Sequence, residues 1–206
     1  MARRRLGTAM ITSSFPIAAV VSSEPDVADA LVAEFASRLG RQGWCVCGLV
    51  QHSRKDSGKH KQMTLTDLSD PTRCFQISQD LGSGSSTCCL DPAGVAAAGV
   101  VLRNALGQKP DLAIANRFGV LEASGGGLSD ELLALMSERT PLLLVVAERY
   151  LDAWREFTGG ESVELPPRIE ALESWFLQCS RPAAGRFEAF GGKLSRGTPD
   201  GSVAAP

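Results

Sequence analysis

The sequence predicts an α/β protein with a mostly parallel sheet and helices on both faces. Three observations carry that expectation. Pro16-Ile-Ala-Ala-Val-Val21, Asp111-Leu-Ala-Ile-Ala115 and Pro141 to Ala147 are continuous apolar runs of strand length, as strands covered on both faces require. Helix-like stretches separate them, which is the alternation that builds parallel sheets. The 206 residues, 44% of them hydrophobic, fill one domain and are marginal for two.

The elements follow in order. After the first strand, Ser23 offers a hydroxyl cap, with Pro25 and Asp26 in the opening turn of a helix. Val27, Leu31, Phe35 and Leu39 recur at intervals of four and set its apolar stripe, which ends near Gly40 or Gly43. Trp44 to Val50 is the second strand. Residues 51–75 break the rhythm: a polar, basic run to Lys61 and an alternating Met63 to Leu68 suggest a β-hairpin projecting from the sheet, with an edge strand. Phe75 to Ser78 is another short strand candidate. Pro92 to Leu106 reads as a largely buried helix, Leu128 to Arg139 as a helix after three glycines, and 150–157 and 167–178 as short helices. Trp154, Phe157, Trp175 and Phe176 at helical spacings read as core or as the face of a homodimer. The expected organisation is a mobile basic leader over 1–14, a single α/β domain over 15–184, and a tail without periodicity over 185–206.

Twenty-one basic against twenty-three acidic side chains give a net charge of -2, which argues against nucleic acid as a partner. No apolar run reaches the roughly 20 residues that span a bilayer. Arg3-Arg4-Arg5 and the apolar residues after it loosely resemble a signal peptide, but Thr12, Ser13, Ser14 and Pro16 interrupt them, so a cytoplasmic location is expected. The six cysteines do not suggest a disulfide scaffold in a chain with an ample core. Cys45 and Cys47, two apart on a strand, share a face and read as core. No C-x-x-C pair occurs, and His52 and His60 lack zinc-ligand spacing, so no metal site is assigned.

Ligands of open α/β sheets sit beyond the carboxyl ends of the strands. Segments 22–26, the loop from 51, 116–127 and the loop from 148 are therefore expected to meet. A phosphate-binding turn there needs G-x-x-x-x-G-K-S/T, with glycines for close backbone approach and a lysine on the terminal phosphates. The chain instead has Ser22-Ser-Glu-Pro-Asp-Val-Ala-Asp29, with three acids and neither glycine nor lysine. No catalytic residue is assigned.

The anion-binding candidates are Gly82, Ser83, Gly84, Ser85, Ser86 and Thr87, with Arg117. Alternating glycines let successive N–H groups converge on one concavity, hydroxyls add neutral donors, and one arginine, Arg73 or Arg117, supplies charge. The same composition also fits a plain Gly/Ser connection. Supporting positions are Gln79 and Asp80 before that segment and Asn116, Glu122, Gly125, Gly126 and Gly127 after the third strand. Glu122 can orient a water or Arg117 itself, or simply form a structural pair with it.

These residues carry a resemblance. Ala18-Ala-Val-Val21, Gly48-Leu-Val-Gln51, Ser78-Gln-Asp-Leu-Gly82, Cys89-Leu-Asp-Pro92, Asn116-Arg-Phe-Gly119, Glu122, Gly125-Gly-Gly-Leu128 and Ala153-Trp-Arg-Glu-Phe157 together resemble a bacterial family of uncharacterised domains, of the domain-of-unknown-function 2478 type. Its members are often encoded near molybdate-transport genes. That family is distantly similar to thermophile-type nucleoside triphosphatases, which implies a three-layer P-loop-like fold with a degenerate Walker A loop. Their acidic motif after the Walker B strand is mirrored by Asn116 to Glu122, with Asn116 where the relatives carry the acid that organises Mg²⁺.

The expectation is an accessory protein of molybdenum homeostasis or delivery that binds molybdate or tungstate and is not an active NTPase. No cofactor is assigned beyond that oxyanion. Molybdate-transport or molybdenum-cofactor proteins are the implied partners. The alternatives are a nucleotide-binding protein or phosphohydrolase, with Arg117 and Glu122 as clamp and water-orienting residue, and an interaction module for a transporter or molybdoenzyme assembly.

Overall fold

A computed structural model describes residues 16–55, 61–79 and 90–180. The expected leader and tail, Asp80 and the Gly82 to Thr87 segment lie outside the described residues.

Among the described residues, seven strands form one sheet: β1 (Ile17–Ser22), β2 (Val46–Lys55), β3 (Lys61–Asp67), β4 (Cys74–Gln76), β5 (Leu112–Phe118), β6 (Leu142–Ala147) and β7 (Val163–Leu165). Their spatial order is β4-β3-β2-β5-β6-β1-β7. The pairs β2–β5, β5–β6, β6–β1 and β1–β7 are parallel, whereas β3 and β4 are antiparallel additions. Side chains alternate across the sheet and divide the core into two layers. Ile17, Ala19, Ala113, Ala115, Leu142 and Leu144 face α2 (Pro92–Gln108), α4 (Ser129–Ser137) and α5 (Leu151–Phe157). Ala18, Val20, Ile114, Leu143 and Val145 face α1 (Pro25–Arg41) and α6 (Ile169–Cys179). The predicted three-layer architecture is thus observed.

The hairpin is present but does not project. β3 pairs with β2 from Leu49↔Asp67 to Lys55↔Lys61, and β4 pairs with β3, so the excursion widens the sheet in its own plane. The strand expected at the edge is therefore internal, and β4 takes the edge.

Two local expectations about α1 also change. Ser23 does not cap the helix. Glu24 occupies the cap position without a side-chain bond, while the Glu24 amide donates to Ser22 Oγ at 3.0 Å. Val27 is 58% exposed, and the buried stripe runs through Ala28, Val32, Phe35, Ala36 and Leu39. The small Ala28 and Ala36 let the helix axis approach the sheet, a preference that the larger Val27 and Leu31 concealed.

Trp154, Trp175 and Phe176 are buried in the monomer, resolving the core-or-dimer alternative toward core for these three. Trp154 Nε1 donates to Ser162 Oγ at 3.0 Å, and Phe118 meets the Trp154 ring edge-on at 5.2 Å between centroids. Cys47 is buried as expected, but Cys45 is exposed because it precedes β2, with 3.9 Å between the two sulfurs.

Candidate functional site at the carboxyl ends of the strands

The four expected segments do meet. A cleft of about 170 Å³ is lined by Pro25 at the start of α1, Gln51 from β2, the run Asn116 to Glu122, Ala147 at the end of β6, and Arg149 and Tyr150 just beyond it. Met63, Ile77, Leu90 and Val95 complete an apolar wall on the α2 side.

The start of α1 is acidic. Asp26 and Asp29 lie three apart on one face of α1. Both carboxylates engage Arg117 of β5. Arg117 Nε reaches Asp29 Oδ1 and Oδ2 at 2.9 Å each, and Arg117 Nη2 contacts Asp29 Oδ2 and lies 2.6 Å from Asp26 Oδ1. Asp29 is only 6% exposed. Burial works against the charge on Arg117, but the Asp29 and Asp26 contacts outweigh it and hold the guanidinium above its ordinary pKa. The arginine expected to receive an anion is thus engaged inside the protein, and not by Glu122.

Backbone geometry places it there. The register between β5 and β6 slips between Ile114↔Leu143 and Arg117↔Val145, so Ala115 and Asn116 together oppose Leu144. Asn116 takes φ +62°, a left-handed conformation that asparagine tolerates better than most side chains. The bulge sends Arg117 toward α1, while Asn116 Nδ2 reaches Gln51 Oε1 at 3.5 Å. Asn116 Oδ1 is buried and has no hydrogen-bond partner among the described residues.

Glu122, 6% exposed, organises the following loop from within. It lies in the short helix α3 (Val120–Ala123), where its Oε2 accepts from the Gly119 amide at 2.9 Å and its Oε1 from the Leu128 amide at 3.1 Å. Gly127, at φ +59°, lies so close that a Cβ there would strike the Glu122 carboxylate. Gly125 has φ +78°, and the Gly126 amide donates to the Leu121 carbonyl at 2.8 Å. These three glycines therefore shape the turn into α4.

Gln79 Nε2 donates to Asp91 Oδ1 at 3.2 Å, and the same oxygen caps α2 by accepting from the Ala93 amide. Arg73 precedes the edge strand β4, with its guanidinium over the Phe75 ring and 4.0 Å from Asp67. It is not among the residues that line the cleft. Arg149, which the sequence did not single out, is exposed on the cleft wall, stacked over Tyr150 at 4.9 Å, with no ion pair among the described residues. Its signal was position alone, two residues beyond β6. Gln51, which heads the polar run in the sequence, sits buried within β2. The described residues include no group of three or more His, Cys, Asp or Glu arranged for a metal, and no helix among them is long and apolar enough to cross a membrane.

This sheet, flanked by helices on both faces and read at its carboxyl edge, defines a P-loop-like α/β domain. It superposes on the solution structure of a human cancer-related nucleoside triphosphatase with a TM-score of 0.53 and 15% identity, covering 77% of this chain and 94% of that one. The chain belongs to the family of proteins of unknown function DUF2478, whose sequence profile matches residues 17–175. It is also 39% identical over 165 residues to the molybdenum import ATP-binding protein ModC 2 of Bradyrhizobium diazoefficiens. That match takes in 80% of this chain but only 18% of the relative, so the chain spans about a fifth of the longer protein.

Proposed function

We propose that this chain is a molybdate- or tungstate-binding accessory of molybdenum import that holds the oxyanion at the carboxyl-edge cleft and does not hydrolyse nucleotides. The observation that carries it is the division of labour between two arginines. Arg117 is neutralised by Asp26 and Asp29 where nucleotide phosphates would sit, whereas Arg149 faces the cleft without an ion pair among the described residues. Ile77 and Leu90, which flank segment 80–89, both line the cleft, and Ser78 bridges to Leu90. That supports Gly82, Ser83, Gly84, Ser85, Ser86 and Thr87 as the neutral donors around the anion. The molybdenum import relative supports the choice of anion.

Calorimetric titration with molybdate, tungstate, sulfate, phosphate and Mg-ATP tests the reading. Molybdate and tungstate are expected to bind at least about tenfold more tightly than sulfate and phosphate, with no heat from Mg-ATP. Arg149→Ala and the pair Ser85→Ala with Ser86→Ala are each expected to weaken molybdate by about tenfold or more. Equal affinity for all four anions, or no binding, overturns the proposal. Binding of Mg-ATP with phosphate release lost in Glu122→Gln would favour the phosphohydrolase.

A second reading has its own support. The segment matched in the relative is a minor part of a protein named as ATP-binding, which favours a module that attaches to such a subunit. Co-purification with a molybdate transporter's ATP-binding subunit, surviving loss of the Gly82 to Thr87 segment, would establish it.

A further inference from the structure

The hydrogen bonds behind the cleft run in one direction. Asn116 Nδ2 donates to Gln51 Oε1 at 3.5 Å, Gln51 Nε2 donates to Ser53 Oγ at 3.2 Å, and Ser53 Oγ donates to Asp26 Oδ1 at 3.3 Å. The direction is fixed from the far end. A carboxylate oxygen only accepts, so Ser53 gives it its single proton and is left to accept. Gln51 must then turn its nitrogen to Ser53 and its oxygen to Asn116. Asn116 must turn its nitrogen to Gln51, which leaves Oδ1 as a buried acceptor, unpartnered among the described residues, on a residue that lines the cleft. A carboxylate on α1 thereby determines that this wall of the cleft offers an acceptor.

A fully ionised tetrahedral oxyanion has no proton for such an acceptor. An alkylammonium group has three N–H donors and would leave two unmet there, at a desolvation cost that the surrounding Met63, Ile77, Leu90, Val95 and Phe118 cannot offset. An uncharged ring with one N–H satisfies the acceptor and buries its remaining surface against those side chains. We propose that the inner wall of the cleft is a subsite for a small uncharged heterocycle, whose ring N–H donates to Asn116 Oδ1. This subsite is separate from the oxyanion contacts at Arg149 and does not depend on them.

The test follows the Asn116 and Gln51 side-chain amides of the full-length protein by ¹H–¹⁵N NMR during titration with uracil, 1,3-dimethyluracil or molybdate. Uracil and its dimethyl derivative share a ring, but only uracil has N–H donors. Uracil is expected to move the Asn116 amide resonances and to bind at least about tenfold more tightly than dimethyluracil. Asn116→Gly, which keeps the left-handed backbone available, is expected to lose that preference. Ser53→Ala cuts the chain of hydrogen bonds, frees both amides to turn, and is expected to bring the two rings to similar affinity.

Equal binding of the two rings to the unaltered protein, or binding of neither at about 10 mM, overturns the proposal. Molybdate binding with neither ring bound leaves the oxyanion reading standing and this one refuted. Uracil binding without molybdate binding does the reverse.

Discussion

Arg117 on β5 and Asp29 on α1, 88 residues apart in sequence, form a two-pronged ion pair in which Nε lies 2.9 Å from both carboxylate oxygens. It ties the strand that follows the bulge to the helix that opens the domain. Asp26 adds a second, more exposed carboxylate to the same guanidinium.

Removing Asp29 leaves the Arg117 guanidinium only the more exposed Asp26. Asp29→Ala is expected to destabilise the fold by about 3 kcal/mol or more in urea denaturation, and Asp26→Ala by much less, since its side chain is 48% exposed. The double replacement Asp29→Leu with Arg117→Met is expected to recover most of the loss, because neither charge then remains buried. Equal losses in the two single aspartate variants would contradict this account.

Glu122 is a structural acceptor of two backbone amides. Glu122→Gln keeps one acceptor oxygen and places an amide nitrogen against the other N–H, for an expected cost of about 1–3 kcal/mol in thermal or urea unfolding. Amide hydrogen exchange at Gly119 or Leu128 is expected to quicken in the same variant. Unchanged exchange at both would refute the role.

Gly48 lies on β2 at φ +117°, and a Cβ built there would collide with the Ile114 carbonyl oxygen on the paired strand β5. Neither the backbone nor its neighbour can yield without breaking the central ladder. Gly48→Ala is expected to cost at least about 3 kcal/mol or to prevent folding, whereas Gly40→Ala, with nothing near its Cβ position, is expected to be neutral or stabilising. Circular dichroism melts of the two variants check the contrast.

Burial pushes the Cys47 thiol up to about 11. Between about pH 9 and 11 the unfolded chain gives up this proton while the folded chain keeps it, so the contribution to stability falls as pH rises through that window. Below it both states are protonated, and the contribution is constant. The urea midpoint is therefore expected to drop less steeply from pH 9 to 11 in Cys47→Ala than in the unaltered protein. Peptide mapping after alkylation at pH 8 is expected to find exposed Cys45 and Cys74 modified well ahead of Cys47.

The central strands were legible because Ile17 to Val21 and Leu142 to Ala147 are covered on both faces, and nothing but apolar side chains suits such positions. The meeting of four segments at one edge followed from strand direction alone. β7 and α3 escaped, at three and four residues, because so few positions show no period. The in-plane course of the hairpin was hidden for another reason: strand pairing is decided by partners such as Phe75 opposite Leu65, not by the strand's own alternation. At the site, Asp26 and Asp29 were visible as acids where phosphate would sit, and Arg117 as a polar residue after a buried strand. Their union was not visible, because it depends on a bulge at Ala115 and Asn116 that no local propensity announces.

Among the described residues, β1 pairs with the two strands that come last in the domain: Ile17 aligns with Leu142, and Ala18 with Val163. During synthesis, β1 must wait in the nascent chain until nearly the whole domain has emerged from the ribosome. Until then its row of valines and alanines is an open edge, exposed to pairing with other chains. The step that sets the folding rate is therefore expected to be the late insertion of β1 between β6 and β7.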